Sequence, residues 1–143
     1  MKVSFGFDGT LSRPDVQAYA KELIEDGVFE VVVTTSRFDD ENAYKHNANP
    51  TNEDLYAVTD KLGIKRENIH FTNMDDKVNY LQDDIAWHLD DDEHQLYKIY
   101  DSDLLVDGID VNDVDWRWNC SFSMIPDYWK SKYQKKITSS IEL

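Results

Sequence analysis

The chain opens with Met1-Lys2-Val3-Ser4-Phe5-Gly6-Phe7-Asp8-Gly9-Thr10-Leu11, and this stretch decides the fold that the sequence predicts. Valine and phenylalanine favour a buried strand, and Gly9 favours a turn at the end of that strand. The turn presents the side chains of Asp8 and Thr10. Because α/β folds place their sites at the carboxyl ends of buried strands, we expect a functional site here.

Four further strands are predicted downstream, with helices between them. The strands cover residues 29–35, 68–72 and 85–89 and, with a weaker pattern, 108–111. The near-continuous apolar run of the second strand is typical of a parallel strand covered on both faces. Alternating strands and helices predict an α/β fold with a doubly wound, mostly parallel, Rossmann-like sheet and helices on both faces. We expect one domain over residues 1–143.

Capping signals predict where the helices begin. The first helix should start at a capping Ser12, and the second at a capping Thr51 with Asp54 completing a capping box. Residues 38–49 lack a clean apolar face and predict a loop or a partly helical flap over the strand ends. Further helices are expected at residues 76–82, at residues 93–100 and after Pro126, the last with Trp129, Tyr133 and Ile137 on its apolar face.

Composition limits the classes of function. The chain has 143 residues, 41% of them hydrophobic, which predicts a folded domain with a core. The formal net charge of −14 argues against binding long nucleic acid through a basic face. The lone Cys120 cannot form an internal disulfide, and neither a signal peptide nor an apolar run of about 20 residues is visible. A soluble cytoplasmic protein that does not span a membrane is expected.

Acidic and hydroxyl side chains recur where the predicted strands end. Asp8 follows the first strand, Thr35 closes the second, and Asp90 and Asp91 follow the fourth. Right-handed crossovers place all of these ends at one edge of a parallel sheet. The four side chains should therefore converge, although they are far apart in the sequence.

This pattern resembles the haloacid dehalogenase (HAD) superfamily of phosphatases over roughly residues 2–92. The first motif of that family, Asp-x-Asp-Gly-Thr, corresponds here to Gly6-Phe7-Asp8-Gly9-Thr10, in which the second aspartate, the glycine and the threonine match. The most specific part of the resemblance is the order of the site residues along the chain: an acid, then a hydroxyl, then a lysine, then a pair of acids. The resemblance implies that Asp8 is the general acid and base and that its carbonyl is a magnesium ligand. It implies that the phosphate is bound by Thr35, Ser36 and Lys77. The acidic pair that binds Mg²⁺ would be Asp90 and Asp91.

Gly6 stands where the family has its nucleophile, the first aspartate of the motif. Glycine can neither form an aspartyl-phosphate nor bind Mg²⁺, so the resemblance implies a magnesium-dependent phosphohydrolase scaffold that is inactive or strongly impaired. Three accounts stay open: a natural pseudophosphatase that binds a phosphorylated ligand or a protein, a phosphatase inactivated by chance or by design, and direct attack by water. Because residues two apart on a strand share a side, Gly6→Asp should create phosphatase activity. The packing alternative is a glycine that admits a bulky neighbour.

The resemblance further implies a small member of the family without a cap domain, because residues 9–34 and 73–76 leave no room for an inserted domain. An open site suits phosphomonoesters on a nucleotide, a nucleic-acid end or a phosphoprotein. A second subunit is one way to shield such a site, so a homo-oligomer is among the expected partners. A response-regulator receiver fits less well, because it places its acid pair on the first strand and its lysine last.

An alternative class, a binding or interaction protein, rests on Gly6 and on the aromatic residues between positions 116 and 133. Exposure of Trp116, Trp118 and Trp129 would support that class, whereas burial would mean that these rings close the core. The other candidate reactive groups are expected to be structural: His88 in the core or beside the site, and Cys120 as a buried thiol.

Overall fold

The computed structural model describes residues 1–47, 51–125 and 131. Its centre is a five-stranded sheet in the order β3-β2-β1-β4-β5, in which every neighbouring pair is parallel. The strands are β1 (Lys2–Phe5), β2 (Glu30–Thr35), β3 (Ile69–Phe71), β4 (Ile85–Asp90) and β5 (Asp107–Asp110). The predicted α/β fold is confirmed, with the first strand in the middle, and the sheet is parallel throughout.

Helical segments connect the strands, as a parallel sheet requires. The helices are α1 (Pro14–Asp26), α2 (Asp40–Lys45), α3 (Glu53–Leu62), α4 (Glu93–Tyr100) and α5 (Trp116–Ser123). Short helical turns lie at Phe7–Leu11, Arg66–Asn68 and Lys77–Tyr80. Within the described part of the chain, no helix has the length and apolar character needed to cross a membrane.

Several helix boundaries differ from the prediction. The cap of α1 is Arg13 rather than Ser12, whose hydroxyl accepts a hydrogen bond from the Gly9 N–H at 3.1 Å instead. Asn52, not Thr51, precedes α3, and no side chain caps that helix. The helix predicted at residues 76–82 is a single 3₁₀ turn. Helix α5 was not predicted. The helix expected after Pro126 lies outside the described residues.

The apolar core lies largely between the sheet and helices α1 and α5. Trp87 packs edge-on against Phe5 at 5.2 Å between ring centroids and stacks on Tyr19 of α1 at 6.3 Å. Tyr19 in turn contacts Trp116 of α5 at 5.4 Å. Of the tryptophans proposed to separate core from interaction surface, Trp116 is buried, Trp118 is 69% exposed and Trp129 lies outside the described residues.

The other face of the three central strands carries several polar side chains. Side chains alternate along a strand, so Ser4, Thr34 and His88 point away from the aromatic core, and all three are fully buried. A register irregularity between β1 and β4 puts Ile85 on this same face, where it joins a second apolar cluster with Ile99 of α4. The sheet is therefore flanked by helices, and its middle strands carry polar groups toward one of the two helical layers.

Replacing Phe5 by alanine tests the core. This side chain is fully buried against Trp87, so its loss should lower the free energy of unfolding by about 3–5 kcal/mol. Urea denaturation measures the change. The control is Val28→Ala, at a valine that is 74% exposed, which should change stability by less than about 0.5 kcal/mol. A loss below about 1 kcal/mol for Phe5→Ala would contradict this core assignment.

Candidate functional site at the carboxyl edge of the sheet

The predicted site residues lie at the carboxyl ends of the strands, as the parallel topology requires. Gly6 follows β1, Thr35 ends β2 and Asp90 ends β4. Lys77 begins the turn between β3 and β4, and its ammonium lies 2.5 Å from a carboxylate oxygen of Asp90. Lys77, Asp90 and Gly6 are thus brought together, although they come from three separate parts of the chain.

Gly6 lies directly against the carboxylate of Asp90. A Cβ atom built on Gly6 would be 3.0 Å from the Cγ and from both carboxylate oxygens of Asp90. The backbone of Gly6 has φ −66° and ψ 162°, an ordinary extended conformation, so no backbone strain requires glycine here. What favours glycine is the close approach of a side chain from β4, which is the packing alternative named above.

Asp90 is almost completely buried and accepts four hydrogen bonds. One oxygen accepts from the Lys77 ammonium at 2.5 Å and lies 2.6 Å from Nε2 of His88. The other accepts from the backbone N–H groups of Asp91 at 2.9 Å and Asp92 at 3.3 Å. Burial alone would raise the pKa of Asp90, but the hydrogen bond to His88 and the nearby Lys77 charge hold this pKa well below its usual range. The carboxylate is therefore ionised and has all its acceptor positions occupied.

His88 connects the Lys77–Asp90 ion pair to two hydroxyl groups inside the sheet. Complete burial lowers the pKa of His88, so the ring is neutral. A neutral ring that donates from Nε2 to the Asp90 carboxylate must accept at Nδ1, which lies 2.8 Å from the Ser4 hydroxyl. The Ser4 oxygen then accepts from Thr34, also at 2.8 Å. Ser4 and His88 have no exposed surface, so this serine–histidine–aspartate arrangement orients Asp90 and cannot attack a substrate.

Asp8 faces a different partner. Its carboxylate accepts two hydrogen bonds from the Arg37 guanidinium, at 2.7 and 2.9 Å. The same guanidinium binds both carboxylate oxygens of Asp54 at 2.7 and 2.9 Å and lies 4.9 Å from the centre of the Phe7 ring. These hydrogen bonds, from Asp54 first and then from Asp8, raise the pKa of Arg37. Arg37 therefore fastens the start of α3 to the turn after β1.

The remaining predicted residues, Thr35, Ser36 and Asp91, lie at the edge with other hydrogen-bond partners. Thr35 is buried, and its hydroxyl accepts from the Arg37 N–H at 3.3 Å. Ser36 is half-buried, and its carbonyl accepts from Met74. Asp91 accepts from the Thr10 hydroxyl at 3.3 Å, and burial followed by the neighbouring Asp90 raises its pKa.

The backbone conformation at position 9 and the nearby Asp91 both require glycine at this position. The φ of Gly9 is +71°, a conformation that residues with side chains disfavour, and a Cβ atom there would overlap a carboxylate oxygen of Asp91. The Asp8-Gly9-Thr10 turn therefore needs its glycine in order to bring the turn up to Asp91.

The geometry permits a limited test of magnesium binding. Among the described residues, no three histidine, cysteine, aspartate or glutamate side chains are grouped so that they could hold a metal ion. Asp90 already accepts four hydrogen bonds, whereas Asp91 accepts one side-chain bond and Asp8 is exposed. Of the predicted ligands, Asp8 and Asp91 are the two whose carboxylates can still reach an ion, and Mg²⁺ binding stays a prediction.

Comparison of the chain with protein-family models, with curated proteins and with solved structures found no match. The functional interpretation therefore rests on the residues and on their geometry. Two residues of that geometry, Arg37 and Asp54, were missed as site residues. The sequence carried a signal for Arg37, the Thr-Ser-Arg run at the end of β2, but no local pattern pairs Arg37 with Asp54 of α3.

A double-mutant cycle should detect the energetic coupling between Lys77 and Asp90. Lys77→Met leaves the Asp90 carboxylate buried without its cation and should lower the free energy of unfolding by about 3–5 kcal/mol. Adding Asp90→Asn removes the uncompensated charge, so the double variant should lose less than the sum of the two single losses. Lys98→Met is the matched control, because the Lys98–Asp76 pair has a similar length, 2.6 Å, but is partly exposed, and its loss should cost less than about 1 kcal/mol. Additive losses in urea denaturation would contradict the coupling.

The pH dependence of the free energy of unfolding should show that His88 is neutral in the folded state. Its folded pKa is lowered, so below about pH 6.5 the unfolded chain binds a proton that the folded chain does not, and stability falls on acidification. Burial lowers the pKa of His70 as well, so part of the fall belongs to that residue. The loss between pH 7 and pH 5 should shrink by up to about 2 kcal/mol in His88→Gln and not in His46→Gln, at an exposed position. Equal losses in both variants would contradict a neutral buried His88.

Proposed function

We propose that this chain is a HAD-like phosphohydrolase scaffold that binds phosphomonoesters at the carboxyl edge of its sheet and does not hydrolyse them by the covalent route. The support consists of the parallel sheet with β1 in its centre and of the acid, hydroxyl, lysine, acid-pair order at the strand ends. Of the three accounts of Gly6, this geometry favours the natural pseudophosphatase, with a site rebuilt without its nucleophile.

The observation that carries the proposal is the position of Asp90. In a HAD phosphatase, an aspartate at position 6 would be the partner of the lysine. Here the Lys77 ammonium is paired with Asp90 at 2.5 Å, and the Asp90 carboxylate lies 3.0 Å from where the first side-chain atom of residue 6 would be. A carboxylate from β4 thus takes both the space and the cation that a nucleophile on β1 needs.

The charges at the edge indicate how a phosphate would bind. Lys77 and Arg37 already face Asp90 and the Asp8–Asp54 pair, respectively, and the nearby Arg13 faces Asp15. A phosphate dianion therefore meets a surface whose positive charges are neutralised, and the proposal includes Mg²⁺ as the group that would offset this charge when bound. In the proposal, Asp8 and Asp91 hold the ion weakly, and the hydroxyls of Thr35 and Ser36 donate to the phosphate.

A second candidate function is an interaction module without a phosphate ligand. It is favoured by Trp118 and Phe122, which stack at 6.4 Å on the outer side of α5 and are 69% and 44% exposed. Exposed aromatic side chains of this size are typical of protein contacts. This candidate is the one to retain if no variant of the edge acquires phosphatase activity.

Phosphatase assays on three forms of the chain test the proposal. We expect no hydrolysis of an aryl phosphate with Mg²⁺ by the wild type. In contrast to the expectation from the sequence alone, we expect little by Gly6→Asp, because the new carboxylate meets Asp90 and Lys77 stays paired with Asp90. Gly6→Asp/Asp90→Asn frees Lys77 for the new carboxylate and should raise the rate about a hundredfold or more over Gly6→Asp. Gly6→Asp/Asp101→Asn is the matched control, since Asp101 is exposed at the end of α4, and it should behave as Gly6→Asp does.

The results of the assay distinguish between the explanations for Gly6. Full activity in Gly6→Asp alone would mean that Asp90 does not block the site, and that the chain is a phosphatase lacking only its nucleophile. A folded, magnesium-loaded double variant without activity on a broad set of phosphoesters would contradict the phosphohydrolase scaffold. Circular dichroism of each variant shows whether it is folded.

A further inference from the structure

Strand β5 has an open edge. It is the last strand in the order β3-β2-β1-β4-β5, so within the described part of the chain only its β4 side is paired. The Val111 N–H donates to the carbonyl of Asp90 at 3.0 Å, and the backbone of every second residue before Val111 faces β4 in the same way. The N–H and C=O groups of Gly108 and Asp110 therefore point to the other side. Backbone groups at such an edge are a template for a further strand.

Gly108 is the point at which another backbone can approach β5 most closely. It is exposed, and it has no side chain to cover its peptide groups. Its outward N–H and C=O form no backbone hydrogen bond with any described residue, whereas the Asp110 carbonyl accepts from the Asp113 N–H at 3.2 Å. A donor and an acceptor are thus open in the middle of the edge.

A cleft of about 570 Å³ runs along this edge. Both helical layers contribute to its described lining: Tyr100 ends α4, Leu104 lies in the loop before β5, and Phe122 belongs to α5. Side chains alternate between the two faces of a strand, so a strand added to β5 would place successive side chains toward α4 and α5 in turn. The cleft offers apolar surface on both faces of such a strand.

The charge of this cleft is negative. Asp110 and Asp113 line it, and no lysine or arginine belongs to its described lining. Each of the two carboxylates accepts from the backbone N–H two residues further on, at 2.9 Å. A cationic group of a ligand would therefore meet carboxylates that no cation of the described lining compensates.

The charge of the whole chain narrows the choice of occupant. A second copy would bring Asp110 and Asp113 close to like charges, and the net charge of −14 repels it further. Nucleic acid is repelled for the same reason. A basic peptide in extended conformation matches the open backbone groups, the apolar surface and the carboxylates together.

We propose that the open edge of β5 binds an extended segment of another protein, in which lysine or arginine alternates with apolar residues, as a sixth strand of the sheet. The main chain of that segment pairs with Gly108, and its cationic side chains reach Asp110 and Asp113. The proposal does not depend on the phosphate site, since none of the residues assigned to phosphate or Mg²⁺ belongs to the described lining of the cleft.

Fluorescence anisotropy with labelled peptides tests the proposal on the full chain. The probe is a peptide of alternating lysine and valine, about eight residues long. It should bind at least about tenfold more tightly than its glutamate–valine counterpart. Methylation of alternate backbone nitrogens keeps the charge of the probe but removes main-chain donors, so it should weaken binding about tenfold or more.

Two double variants separate the cleft from the general charge of the protein. Asp110→Asn/Asp113→Asn should weaken binding of the lysine–valine peptide at least about fivefold. Asp101→Asn/Asp103→Asn is the matched control, because it changes the net charge equally at exposed acids outside the described lining. This control should bind the peptide as the wild type does, and equal losses in the two variants would overturn the assignment to the cleft.

Amide hydrogen exchange shows where the peptide binds. The Gly108 amide should exchange fast in the free chain and slow at least about tenfold when the peptide is bound. The Ile109 amide, which faces β4, is the internal control and should change much less.

The other outcomes overturn the proposal. No peptide binding, equal binding of the methylated peptide, or unchanged exchange at Gly108 would each exclude strand addition. A Gly108 amide that is already slow in the free chain would mean that the edge has another occupant. Its release on glutamine replacement of Lys130, Lys132, Lys135 and Lys136 would assign the edge to the chain's own residues, and its dependence on protein concentration would assign the edge to a second copy.

Discussion

The buried ion pair between Lys77 and Asp90 is the interaction on which the rest of the edge depends. A carboxylate that is 1% exposed stays ionised only if its charge is compensated, and here a lysine, a histidine and two backbone N–H groups share that task. His88 supplies its bond because Ser4 and Thr34 fix the ring from the other side. The polar side chains of Thr34, Ser4 and His88 thus help to hold the Asp90 carboxylate in place.

This constraint accounts for Gly6. Any side chain at position 6 would contact the Asp90 carboxylate, and an acidic one would place two negative charges together with Lys77 as their common cation. The same edge carries Asp8 and Asp54 on Arg37, so each cation there is matched by acids of the chain itself. The charges of Lys77 and Arg37 are therefore compensated without a ligand.

Much of the fold was predictable from the sequence, because apolar runs, glycine turns and strand–helix alternation are local signals. The strand ends that carry Asp8, Thr35 and Asp90 follow from that alternation. The partners of those residues do not, since the pairing of Lys77 with Asp90, or of Arg37 with Asp54, depends on side-chain geometry across elements. Thr51 shows the same limit. The sequence predicts that Thr51 caps α3, but Asn52 precedes that helix, no side chain caps it, and Asp54 pairs with Arg37.

The most direct test of the Lys77–Asp90 account is nitrogen-15 NMR of the lysine ammonium groups at neutral pH. The Lys77 ammonium is buried and bonded to Asp90, so its signal should exchange slowly with water and be resolved from those of exposed lysines. The signal should disappear or shift in Asp90→Asn and stay unchanged in Asp76→Asn, which removes the partner of Lys98. A Lys77 ammonium that exchanges as fast as that of Lys98, and that does not respond to Asp90→Asn, would contradict the account.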